Sequence, residues 1–167
     1  MQRIQKITAC LWFDGQAEAA ARFYTGIFPN SRIGQVLHFG AEGQQLHGQT
    51  PGSVMTVAFE LDGQAFTGLN GGPQFRFNEA ISFQVNCESQ DEIDHYWHKL
   101  GAGGPQQARQ CGWLKDQFGV SWQIVPAVLP TLLADTDPAR AQRVMHALLE
   151  MQKLDIAQLK RAYAASA

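Results

Sequence analysis

Cysteine is scarce and poorly spaced for cysteine chemistry. The 167-residue chain has three, Cys10, Cys87 and Cys111, an odd number without a CxxC pair, which argues against a disulfide framework or a thiolate zinc site. They read as free thiols of a reducing compartment. Charge is also thin: 13 Lys+Arg against 15 Asp+Glu leave a net charge of -2 and no basic run, so the electrostatic footprint of a nucleic-acid binder is missing. No apolar stretch approaches the roughly 20 residues of a membrane span. The N-terminal Met1-Gln-Arg-Ile-Gln-Lys lacks a signal-peptide core, so a cytoplasmic protein is expected. Hydrophobic residues make up 45% and charged residues 17%, a globular composition that suits one domain or two small fused halves.

The apolar pattern divides into two similar halves. Ile4 to Phe13 is apolar at nearly every position, as in a strand buried on both faces, and Asp14-Gly15 ends it. Gln16 to Phe28 carries Ala17, Ala20, Ala21, Tyr24 and Phe28 at helical spacing before Pro29-Asn30. Strands are predicted over Arg32 to Phe39, Val54 to Leu61 and Gln64 to Leu69, the last two joined by a tight Asp62-Gly63 hairpin. Gly40 to Thr50 reads as a mobile loop. In the second half, Ala80 to Cys87 alternates, with Ile81, Phe83 and Val85 on one face and Ser82, Gln84 and Asn86 on the other. Ser89 and Glu92 form a capping box for a helix striped by Ile93, Trp97 and Leu100. Strands are then predicted over Gln106 to Arg109, Gly112 to Lys115 and Ser121 to Val125. Both halves read β-α-β-β-β, and Tyr24 with Phe28 matches Tyr96 with Leu100 as helix anchors.

Beyond Val125 the pattern is helical. Pro130 to Ala134 reads as a turn, Asp137-Pro138 supplies an N-cap and a first-turn proline, and a last helix runs from Asp155 with Ile156, Leu159 and Tyr163 as its stripe.

The paired modules, the segment LWFDGQAEAAARFY (Leu11 to Tyr24), the run GWLKDQFGVSWQIVP (Gly112 to Pro126) and the tail RVMHALLEMQKLD (Arg143 to Asp155) resemble the vicinal-oxygen-chelate superfamily of glyoxalases, bleomycin-resistance proteins and extradiol dioxygenases. Within it they resemble the PhnB-like, or 3-demethylubiquinone-9 3-methyltransferase-like, branch. The resemblance implies an α+β fold in which two β-α-β-β-β modules, about 1–72 and 78–126, curve into a cup, with 127–167 a C-terminal helical extension. It also implies a homodimer and a ligand or divalent metal inside the cup. The family's metal-ligand positions fall here on Ile7, Phe66 or Thr67, Ala80 and Gln123, of which only Gln123 carries a donor. One amide oxygen does not hold a divalent cation against water, so no catalytic metal and no cofactor is expected there. Glu79, beside Ala80, is the nearest other donor.

The register implied by the resemblance lines the cup with Ile7, Ala9, Leu11 and Phe13, with Asn70, with Ser82 and Gln84, and with Ser121 and Gln123, while Trp113 stacks at the edge. Phe13, Asn70, Ser82, Gln84, Trp113 and Gln123 are therefore the candidate ligand-binding residues: apolar walls with uncharged hydrogen-bonding groups, suited to a small organic molecule. Catalytic residues cannot be assigned. Other clusters point to solvated surface: His95 and His98 with Asp91 and Asp94 share a helix face opposite the apolar stripe, and His38 and His47 border the Gly40 to Thr50 loop. Phe66 to Gly72 is glycine-rich but lacks GxGxxG and a following helix. The domain usual for S-adenosylmethionine is a doubly wound sheet with a glycine-rich first turn. The chain shows neither feature, so the branch's label is not read as evidence of methyl transfer.

The leading expectation is a small-molecule-binding protein without catalytic metal, its reaction open. The alternatives are a metal-dependent lyase or dioxygenase, in which Glu79, Gln123 and a loop histidine converge, and a drug-sequestering protein of the bleomycin-resistance type.

Overall fold

The computed structural model describes residues 5–165, which form two compact units that divide between Phe77 and Asn78. The α+β class is borne out, with a four-stranded sheet in the first unit and a three-stranded sheet in the second.

In the first unit, β1 (Ala9–Phe13), α1 (Ala17–Thr25), β2 (Arg32–His38), α2 (Gln44–His47), β3 (Val54–Leu61) and β4 (Gln64–Asn70) give the sheet order β1-β4-β3-β2. The Asp62-Gly63 hairpin forms as expected. Both residues have positive φ, 47° and 75°, the twist that lets a two-residue turn join β3 to β4. The core lies between this sheet and α1: Ala17, Ala20, Ala21 and Tyr24 face Val57, Phe59 and Phe66, with Tyr24 stacked on Phe59. Gly68 is the close approach, since a Cβ there would stand 3.1 Å from that of Ala17.

β1 departs from expectation in length and facing. It is shorter than the predicted segment, whose Ile4 lies outside the described residues. It is not buried on both faces. β1 is an edge strand paired only with β4, and burial alternates along it, so Leu11 and Phe13 are buried while Cys10 is exposed. The predicted loop 40–50 contains the short helix α2, where the His47 ring lies 4.7 Å from that of Phe39.

In the second unit, β5 (Phe83–Cys87), α3 (Gln90–Gly101), β6 (Trp113–Lys115) and β7 (Ser121–Pro126) form the sheet β5-β7-β6. The expected strand over Gln106 to Arg109 is absent: Gln106–Ala108 is a single 3-10 turn after Pro105, so this module is β-α-β-β. The strand predicted from Ala80 begins only at Phe83, because Asn78 Oδ1 accepts from Ala80 N in a local turn. Ser89 caps the helix, its Oγ accepting from Glu92 N at 3.2 Å, while Glu92 Oε2 reaches one residue past the N-cap and accepts from Glu88 N at 2.6 Å. Ile93, Trp97 and Leu100 of α3 cover one face of the sheet, where Leu114, Trp122 and Ile124 are buried.

The second unit also holds α4 (Leu129–Leu133), α5 (Pro138–Leu149) and α6 (Ile156–Ala164); α4 replaces the turn expected over Pro130 to Ala134. Val125, Leu129, Leu132, Val144, Met151, Leu154 and Leu159 form their shared core. Between α5 and α6 the chain grips the sheet through its backbone: Cys111 N donates to Met151 O at 2.8 Å and Gly112 N to Gln152 O at 2.7 Å. Gln90 completes this clamp, donating to Leu154 O and accepting from Ile156 N. Among the described residues no helix is long and apolar enough to cross a membrane.

Candidate functional site

Each sheet has one face against its helix and one face turned away from it. The pairing Gln84↔Gln123, Trp113↔Gln123 and Lys115↔Ser121 places Gln84, Trp113, Lys115, Ser121 and Gln123 on the open face of the second sheet. Ser82 joins them, its hydroxyl accepting from Gln123 Nε2 at 2.9 Å, and Gln84 donates to Asn86 Oδ1 at 2.8 Å. Four of the six predicted residues, Ser82, Gln84, Trp113 and Gln123, therefore share a face.

Phe13 and Asn70 belong to the first unit, and the structure places both on the face packed against α1 rather than on the open one. Phe13 is 2% exposed and meets Phe77 edge-on. Asn70 is 5% exposed, and its amide is spent on structure: Oδ1 accepts from Ala17 N at 2.9 Å, capping the start of α1, and Nδ2 donates to Val54 O at 3.0 Å. The predicted register of β1 is thus corrected by one residue, which exchanges the faces of every side chain. The open face of this sheet carries Cys10, Trp12, Thr67 and Leu69. Trp12 is fixed there by its indole N–H to Gly72 O at 2.8 Å, and Gly71 must remain glycine because a Cβ would fall 2.2 Å from that ring.

A pocket of about 450 Å³ opens in the second unit, lined by Glu79, Ala108, Gln110, Cys111, Trp113, Leu114, Lys115 and Ser121. Three features define its chemistry. Ser121 is 2% exposed, and its Oγ has no hydrogen-bond partner among the described residues. Lys115 Nζ is paired with Glu79 Oε1, and that hydrogen bond, followed by the local backbone and the Lys115 charge, holds the Glu79 carboxyl below the usual carboxylate range. Trp113, half-buried, supplies the largest aromatic surface in the lining. Sequence reasoning did not place Lys115 or Cys111 in the site, although Lys115 stands two residues from Trp113 on the same strand face.

Behind the pocket, Asp116 fixes the β6–β7 turn. It is 1% exposed; Oδ1 accepts from Phe118 N at 2.8 Å and Val120 N at 3.0 Å, and Oδ2 from Trp122 Nε1 at 2.9 Å. That arrangement delivers Ser121 to the open face and Trp122 to the core.

The donors present do not suit a metal. Among the described residues no three His, Cys, Asp or Glu side chains gather closely enough to hold one. The family-aligned positions offer an exposed Ile7, a core-facing Phe66 with Thr67 beside it, Ala80 in a turn and a Gln123 already bonded to Ser82. On α3, Asp94 is taken by Lys153 at 2.7 Å and by Gln90, which lower its pKa, and His95 packs against Tyr96. His47 Nδ1 accepts from Gln49 N. The thiols differ: Cys87 is buried and pushed up to about 12 by desolvation and the nearby Glu92 charge, and desolvation also raises Cys10.

Comparison with known proteins decides the family. The profile described as 3-demethylubiquinone-9 3-methyltransferase matches residues 5–125. The chain belongs to that family. A Bacillus cereus protein, described as PhnB and as a candidate 3-demethylubiquinone-9 3-methyltransferase, is 35% identical over 74% of this chain and 100% of its own, with a TM-score of 0.64. Protein PA1353 of Pseudomonas aeruginosa shares the fold at 19% identity and a TM-score of 0.55, over 74% of this chain and 98% of that one. A lactoylglutathione lyase of Agrobacterium tumefaciens matches at 16% identity and a TM-score of 0.42, over 77% of this chain and 98% of its own. No curated protein matches. The PhnB-like resemblance read from the sequence is thereby borne out, and no specific reaction accompanies it.

Proposed function

We propose that this PhnB-family chain binds a small organic molecule on the open face of its second module, in the pocket beside Trp113, Lys115 and Ser121. The observation that carries this reading is the Ser121 hydroxyl, buried and unpartnered among the described residues at a concave, mostly apolar surface. A buried hydroxyl without a partner costs about 1–3 kcal/mol, a cost that a ligand's hydrogen-bonding group removes. The pocket's volume of about 450 Å³ lies within the range of small-molecule sites, and apolar walls around a few polar groups are their usual composition. Ser82, Gln84 and Gln123 extend the same face and give a larger ligand further hydrogen-bonding positions. The proposal includes a homodimer and a reducing, cytoplasmic setting, supported by the family resemblance and by three free cysteines.

Native mass spectrometry of the freshly purified protein tests this. The expected result is a species of twice the 18.4 kDa chain mass carrying a non-peptide organic mass. In Ser121→Ala the organic mass is depleted while thermal stability is unchanged or raised, because that substitution removes an orphaned hydroxyl. One divalent metal per subunit without an organic mass would overturn the reading in favour of a lyase or dioxygenase.

A further inference from the structure

We infer that Glu79 is the charge-selecting residue of this pocket: by neutralising Lys115 it makes the site choose an uncharged aromatic ligand over an aromatic carboxylate or phosphate. The inference deepens the proposed binding site and rests on it.

Among the described residues Lys115 is the only cationic side chain in the lining, and it is inward enough for its charge to matter, with 23% of its side chain exposed. Left alone, a half-buried ammonium beside Trp113 and an unpartnered hydroxyl would be an anion subsite, since a carboxylate could accept from Lys115 and Ser121 together. Glu79 occupies that role from within the chain. Its side chain is 62% exposed, so it meets Lys115 from the solvent side. The lining then carries one positive and one negative charge and sums to zero. An anionic ligand would have to displace a carboxylate to gain a carboxylate, exchanging one ion pair for another. It would also leave Glu79 facing it as a like charge. A neutral ring with one hydroxyl or carbonyl needs no displacement: the ring packs on Trp113 and Ala108, and its polar group meets Ser121 Oγ. Specificity here comes from a repulsive element as much as an attractive one.

The experiment uses two probes with one ring system, 2-naphthol and 2-naphthoate, titrated at neutral pH into isotopically labelled full-length protein. Amide shifts of Trp113, Lys115 and Ser121 give the affinities, and the wild type is compared with Glu79→Gln. Glu79 lies in an exposed turn, and an unchanged amide spectrum away from the pocket shows that the variant is folded. The wild type is expected to bind naphthol more tightly than naphthoate. Glu79→Gln is expected to move the ratio toward naphthoate by roughly two- to fivefold, the scale of one exposed ion pair, and added salt should shrink that change. Equal or preferred binding of naphthoate by the wild type overturns the inference while leaving the pocket intact, as does a ratio unmoved by Glu79→Gln. Absence of shifts with both probes in both proteins overturns the binding site itself, and this inference with it.

Discussion

Asp116 is the single residue on which the second module leans most. Its carboxylate accepts two backbone N–H groups and the Trp122 indole in a place water does not reach, so removing it strands three donors at once. Asp116→Ala is expected to destabilise the chain by about 3 kcal/mol or more, and Asp116→Asn, which keeps one acceptor oxygen, by roughly half that, measured by urea denaturation. In the sequence Asp116 opens Asp-Gln-Phe-Gly, which between two predicted strands announces a bend but not that the carboxylate is buried. Among the candidate site residues, Ser82 and Gln84 were placed on one face by the polar alternation of Ala80 to Cys87, whereas Gln123 came from the register that the resemblance implies. The faces of Phe13 and Asn70 were not legible. β1 is apolar at successive positions, so its pattern has no phase, and only the pairing Phe13↔Asn70 with α1 overhead reveals the face.

Elements with local signals formed where the sequence placed them. Ser89 to Glu92, Asp137-Pro138 and Asp155 each cap the helix they open, with Asp137 Oδ1 accepting from Ala139 N and Asp155 Oδ1 from Gln158 N. Ser89→Ala is expected to cost about 1 kcal/mol while Ser89→Asp costs almost nothing, again by denaturant titration. One element without such a signal was misjudged. Gln106 to Arg109 has no alternation strong enough to specify a strand, and the chain closes there into one 3-10 turn instead. The same region shows a constraint no propensity reveals: a Cβ on Gly104 would lie 2.0 Å from the Lys115 carbonyl oxygen, so the connection from α3 to β6 must pass with bare backbone.

At the scale of the whole molecule, charge acts through a few surface carboxylates whose partners hold them below their ordinary range: Glu60 by Arg32, Glu79 by Lys115, Asp94 by Lys153 and Asp135 by Tyr163. A carboxylate with a lowered pKa in the folded state contributes stability that is complete above the unfolded value, near pH 4, and is lost as pH falls through the folded value. The melting temperature is therefore expected to be insensitive to these groups between about pH 7 and pH 5, and to decline below about pH 4. High salt should flatten the part of the decline that belongs to Glu60, Glu79 and Asp94, whose ion pairs are at least partly exposed. Differential scanning calorimetry across pH at low and high salt checks both statements.

The sheet order has a further consequence, in time. β1 pairs with β4, joining Ala9 to Phe66, and β5 pairs with β7, joining Phe83 to Trp122. In each unit the first strand therefore waits for the last, with nearly the whole module interposed. Loop-closure entropy must be met before these pairings return any energy, which places folding on the order of milliseconds to seconds, where non-local sheets fall. During synthesis Leu11 and Phe13 emerge with no strand to receive them until Asn70 has followed. The growing chain passes through a stage in which its most apolar edge is bare.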